Sequence, residues 1–193
     1  MTENMFKIAS IQVDSSDERI KSLGRHLDNM TFSITVKESN SRQIDSDIDK
    51  RIISLLSKSY QVYRNKKDLM VSVGAERIGE LDGRIIDESG IEYYLEIEKS
   101  NKKTIWFDYV KILTCLASDD SGIGLLICPK NYAHKVGVWN LYKEAVIYKK
   151  HLQRVFPGSS LNRVGVIGYT QYVRNNSDWI EYDSKIVNEL KRS

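Results

Sequence analysis

Four acidic residues, Glu80, Asp82, Glu96 and Glu98, carry the clearest chemical potential in this chain. They fall in two stretches, Gly79-Glu80-Leu81-Asp82-Gly83 and Tyr93-Tyr94-Leu95-Glu96-Ile97-Glu98-Lys99-Ser100-Asn101. In an extended chain alternate residues share a face. Glu96 and Glu98 therefore point one way and Leu95 and Ile97 the other. Glu80 and Asp82 are expected to share a face of their own strand, and pairing of the two strands would gather up to four carboxylates. Like charges packed that closely repel each other unless a cation lies between them. Hard oxygen donors of this kind suit Mg²⁺ or Mn²⁺. Divalent ions held by carboxylates can activate a bound water and stabilise developing negative charge.

The elements that would position these acids follow from periodicity. Residues 6–13 and 31–37 read as strands on either side of a helix over 17–30, which Ser15 or Ser16 would cap. Helical spacing of Ile44, Ile48, Ile52, Ile53, Leu55 and Leu56 predicts a second helix over 44–60. Residues 70–73, 77–86 and 91–98 read as strands, the last two joined by the hairpin loop Asp87-Glu88-Ser89-Gly90. A helix over 104–117 precedes a short apolar strand at 123–128, buried on both faces and parallel in the sheet. A long helix over 138–156 stops at Pro157-Gly158, a last strand spans 164–169, and a polar tail ends in a short helix. The expected class is α/β, a mixed central sheet flanked by helices, with the acids facing outward from the packed side.

The chain has 193 residues, is 41% hydrophobic and 28% charged, and carries a net charge of +3. That is enough for one domain with a real core, here read as 1–193 with its catalytic part at roughly 44–128. Cys115 and Cys128 lie in apolar surroundings and read as reduced thiols of a cytoplasmic protein. No apolar run reaches membrane-spanning length, and Met1-Thr2-Glu3-Asn4 does not open a signal peptide. His26, His134 and His151 have no metal-ligand spacing and no cysteine neighbours, which argues against histidine-dependent metal chemistry. A Gly-rich phosphate loop and a nucleophile elbow are both absent.

The order of elements, together with Asp82, thirteen intervening residues and then Glu96-Ile97-Glu98, resembles the PD-(D/E)xK nuclease superfamily. Glu98 stands where most members have lysine. In this the chain is similar to the BamHI and BglII branch of type II restriction endonucleases. The likeness extends through the polar Lys-Ser-Asn-Lys turn, Phe107-Asp108-Tyr109 and the strand Gly122-Ile123-Gly124-Leu125-Leu126-Ile127, about a quarter of the chain. The resemblance implies a restriction-endonuclease-like core and an enzyme that cuts double-stranded DNA with Mg²⁺ or Mn²⁺. It implies Asp82 and Glu96 as direct metal ligands and Glu98 as the residue that orients or deprotonates the attacking water. A further acid would come from Asp45, Asp47 or Asp49 on the preceding helix, or from Glu80. Lys111 could act as a relocated lysine, or could simply pair with Asp108 along its helix. Such enzymes are usually homodimers on palindromic sites. Two alternatives stay open: a repair, junction-resolving or mobile-element nuclease of the same fold, and a non-catalytic DNA-binding protein.

Basic residues bear on the same expectation. Arg64, Lys66 and Lys67, then Lys99, Lys102 and Lys103, flank the acids in loops and are the candidate phosphate contacts. Lys143, Lys149, Lys150 and Arg154 lie on the long helix, where a solvated face is the simpler reading.

Overall fold

The computed structural model describes residues 3–35, 42–63, 65–99, 101–134, 137–175 and 177–182. Its N-terminal unit is β1 (Glu3–Asp14), α1 (Glu18–Leu27) and β2 (Met30–Thr35), with β1 and β2 antiparallel. Asp17 caps α1 through its side chain, and Ser15 Oγ accepts from Asp17 N at 3.1 Å. The cap is thus the residue after the two serines proposed for it. α2 (Arg42–Leu56) leads to β3 (Gln61–Val62), β4 (Met70–Val73) and β5 (Glu76–Glu80). Then come β6 (Gly83–Ile86), β7 (Glu92–Ile97), α3 (Ile105–Ala117) and β8 (Ile123–Pro129). A small hairpin, β9 (Tyr132–His134) and β10 (Gly137–Trp139), precedes α4 (Leu141–Val155), β11 (Val164–Asn175) and β12 (Asp178–Glu181).

The main sheet runs β2-β1-β11-β8-β7-β6-β3, with β12 on β11. β7, β8 and β11 are mutually parallel, and the flanking β1 and β6 are antiparallel to their neighbours. Strand alternation divides the core into two layers. Tyr93, Leu95, Ile97, Leu125 and Ile127 pack with Ile20, Leu23, Ile48 and Ile52 of α1 and α2. Tyr94, Leu126, Cys128, Val164 and Val166 pack with Ile105, Tyr109, Ile112, Leu141 and Ala145 of α3 and α4. The result is a mixed α/β sheet with helices on both faces, and β8 is buried along its whole length. Gly124 brings α3 close: a Cβ there would lie 2.3 Å from Ile112 Cγ2. Arg163 fixes the far end of α3 by donating to the carbonyls of Leu116, Asp119 and Gly122.

Four expectations change. Residues 77–86 are two strands, because the chain leaves the β4–β5 ribbon at Glu80 and enters the main sheet at Gly83. Glu80 and Asp82 consequently do not share a strand. Residues 137–139 form β10, and α4 begins after Asn140, whose side chain accepts from Lys143 N. Past β11, residues 178–181 are a strand; the helix expected at the chain's end lies outside the described residues. Last, the acid-bearing face is not the outward one: α3 covers it. The 87–90 loop is the expected tight turn, with Asp87 Oδ1 accepting from Ser89 N and Ile91 N and Gly90 at φ 82°. Cys115 and Cys128 are free thiols.

Candidate active site

Gly83 pairs with Leu95 across β6 and β7, which sets Asp82 beside Glu96 at the end of the hairpin. Asp82 Oδ2 accepts from Ile97 N at 2.8 Å, and this bond anchors the break between β5 and β6 to β7. Glu96 faces α3 and is 1% exposed. Its Oε2 accepts from Lys111 Nζ at 2.5 Å, and its Oε1 has no hydrogen-bond partner among the described residues. Lys111 Nζ also lies 3.2 Å from Asp108 Oδ1 and 3.3 Å from the Glu80 carbonyl. The lysine stem reaches the site across Gly79, where a Cβ would stand 3.2 Å from Lys111 Cδ. The Phe107 ring lies 5.6 Å from the ammonium.

The acids are therefore distributed unequally. Glu96, Asp108 and Lys111 form one buried cluster with Asp82 as its charged neighbour. Burial first, and the Asp82 carboxylate second, push Glu96 up from 4.5 to about 9 against the pull of Lys111. Burial pushes Asp108 up to about 6, with Lys111 opposing and Glu98 and Asp82 adding to the rise. Burial disfavours the Lys111 cation, but Glu96 and Asp108 outweigh it and the lysine is held above its ordinary value. One ammonium thus faces two carboxyl groups and a backbone carbonyl in a buried site.

Glu98 does different work. Its Oε1 accepts from Lys99 N at 2.8 Å and Asn101 N at 2.9 Å, and Thr104 Oγ1 donates to its Oε2. It ties the turn after β7 to the start of α3. Glu80 pairs with Arg77 and, at 3.2 Å, with Lys66. Asp49 pairs with Lys99, joining two candidate site residues to each other. The side chains of Asp45 and Asp47, together with Arg64, lie outside the described residues. Lys67, Lys102 and Lys103 are exposed, and Lys102 Nζ sits 6.0 Å from the Trp139 ring centroid. On α4, Lys143, Lys150 and Arg154 are solvated, but Lys149 is buried on Asp14 at 3.1 Å. That buried pair removes Lys149 from the solvated face expected of the helix. Asp108 was missed as a site residue; its signal was an acid in the first turn of an otherwise apolar helix, three residues before Lys111.

Among the described residues, no group of three or more His, Cys, Asp or Glu side chains stands close enough together to hold a metal ion. The donor set still suits a hard cation. Glu96 offers a buried oxygen with no hydrogen-bond partner among the described residues, Asp82 a neighbouring carboxylate, and Glu80 a carbonyl already facing a positive charge. Among the described residues, no helix is long and apolar enough to cross a membrane. No protein-family model, curated protein or solved structure matches the chain.

Proposed function

We propose that this chain is a Mg²⁺-dependent endodeoxyribonuclease with a restriction-endonuclease-like core, most similar in its site to type II restriction endonucleases. The observation that carries the reading is Glu96: a carboxyl group buried beside Asp82, raised to about 9, with one oxygen lacking a hydrogen-bond partner among the described residues. Such a group is expensive to keep without a function, and perturbed carboxylates in this setting are functional candidates. Asp82 and Glu96 would hold the ion, which when bound would supply a nucleophilic water and charge neutralisation at the reacting phosphate. Asp82 keeps its orientation through Ile97 N. Glu98, whose charge acts on Asp108, orients the attacking water, while its bonds to the turn keep α3 in place. Exposed Lys67, Lys102 and Lys103 meet DNA phosphates.

A homodimer fits the same reading, because cutting both strands of a duplex uses two sites. Trp106, Phe107 and Val110 on α3, with Ile147, Val155 and Phe156 at α4, are exposed apolar residues of the kind a second copy would cover.

The test is digestion of a defined plasmid with Mg²⁺, followed by sequencing of the fragment ends. Discrete fragments support a restriction enzyme; heterogeneous or structure-selective cuts support a repair, junction-resolving or mobile-element nuclease. The second reading, a non-catalytic DNA-binding protein, draws on Glu98, whose two oxygens are already engaged by Lys99, Asn101 and Thr104. Absence of cleavage with every divalent ion, with duplex binding retained, would establish it.

A further inference from the structure

The Lys111 ammonium lies on one of the two oxygens through which Glu96 would hold a metal ion. Its Nζ is 2.5 Å from Glu96 Oε2, 3.2 Å from Asp108 Oδ1 and 3.3 Å from the Glu80 carbonyl oxygen. Three oxygens from two strands and a helix thus converge on one cation, and that cation belongs to the protein. The side chain is only 10% exposed and cannot stay charged there without these partners. Glu96, itself 1% exposed, uses one oxygen for Lys111 and has no hydrogen-bond partner for the other among the described residues. Asp108 lies one helical turn before Lys111, so it can keep the ammonium when Glu96 is taken by another cation.

We propose that Lys111 is a displaceable internal cation: its ammonium donates to Glu96 Oε2 in the metal-free protein, and a divalent ion that engages the Glu96 carboxylate competes with it and drives it toward Asp108. This rests on the reading of Asp82 and Glu96 as metal ligands and adds a regulatory element to that site. The Lys111 ammonium and the metal, both positively charged, compete for Glu96. The lysine keeps the acids compatible with a folded protein when no metal is present. It also sets a threshold: metal affinity is lowered by the strength of the Lys111–Glu96 contact. A DNA phosphate brought to the site would offer the expelled ammonium a second partner, so DNA and metal bind cooperatively.

The experiment is calorimetric titration of Mn²⁺ into the DNA-free protein, comparing wild type, Lys111→Met and Lys111→Arg. Methionine removes the charge and keeps most of the stem; arginine keeps the charge and offers a two-pronged grip on Glu96 that is harder to displace. Lys111→Met should bind Mn²⁺ at least tenfold more tightly than wild type, and Lys111→Arg at least tenfold more weakly. Equal or weaker binding by a folded Lys111→Met overturns the proposal. Should Lys111→Met not fold, Lys111→Arg decides: an affinity equal to or above wild type overturns it. Failure of all three to bind Mn²⁺, with and without a DNA duplex, overturns the metal site itself and this inference with it. Binding that is unchanged by either substitution overturns the displacement alone.

Discussion

Replacing Glu96 with glutamine should make the metal-free protein progressively more stable than wild type as pH rises. The carboxyl is held protonated up to about 9 in the folded chain, whereas an ordinary glutamate ionises near 4.5. Below about 4.5 the group is protonated in both folded and unfolded chains, and its contribution is fully present. Between 4.5 and about 9 the unfolded chain has lost a proton that the native chain keeps. Stability therefore falls through that window, by at most about 1.4 kcal/mol per pH unit. From pH 5.5 to 8.5 the difference between Glu96→Gln and wild type should widen by up to about 4 kcal/mol. Other groups titrate in both proteins and cancel. Urea unfolding in chelator at three pH values measures this, and added Mg²⁺ should narrow the gap by stabilising only wild type. Parallel pH profiles, with Glu96→Gln uniformly several kcal/mol less stable, would refute the reasoning. Glu96 would then be an ordinary ionised partner of Lys111, and the substitution would strand a buried ammonium.

The remaining expectations follow from the same geometry. Metal affinity should rise with pH up to about 9, by up to tenfold per unit, since the ion must displace the proton on Glu96; Mn²⁺ titrations at pH 6, 7 and 8 read this, and a flat profile contradicts it. Replacing Lys102 and Lys103 with alanine should weaken DNA binding at all sequences and flatten its salt dependence by roughly one unit of slope per lost phosphate contact; an unchanged slope in binding titrations would place the DNA elsewhere. Ca²⁺ should support DNA binding with little cleavage, because its larger and looser shell positions water poorly; gel-shift and cleavage assays run in parallel would show it.

Much of the scaffold was legible because hydrophobic spacing reports directly on which face is buried. The alternation in 91–98 and the unbroken apolar run in β8 gave their strands, and the 3.6-residue spacing in 104–117 gave α3 to within one residue. The split at Leu81-Asp82 was not legible: the run from Arg77 to Ile86 alternates well enough for one strand, and only the tertiary pairing of β5 with β4 shows that it changes sheets. β10 was hidden for a related reason, since Val138 and Trp139 fit the apolar stripe of the helix that follows them. At the site, i, i+2 spacing put Glu96 on one face, but the sequence had no means of showing that α3 covers that face. That covering explains both the raised Glu96 and its hydrogen bond from Lys111, whose helical spacing from Asp108 was visible while its reach to β7 was not. Glu98 shares a face with Glu96 by spacing, yet it ends past β7, where the turn's N–H groups and Thr104 engage it.

The Asp82→Asn substitution places the cluster's role under test with little disturbance to the fold, because asparagine can still accept from Ile97 N through its side-chain oxygen. Cleavage of supercoiled plasmid in Mg²⁺ should be compared between wild type and this variant, with folding of both checked by circular dichroism. The variant should be folded, should bind duplex DNA as well as wild type or better, and should cut on the order of a hundredfold more slowly, because placement of the ion carries much of the catalysis. A folded Asp82→Asn protein that cuts at the wild-type rate, or a wild-type protein that cuts fully in excess EDTA, would contradict the account and leave the acids as a structural cluster around Lys111.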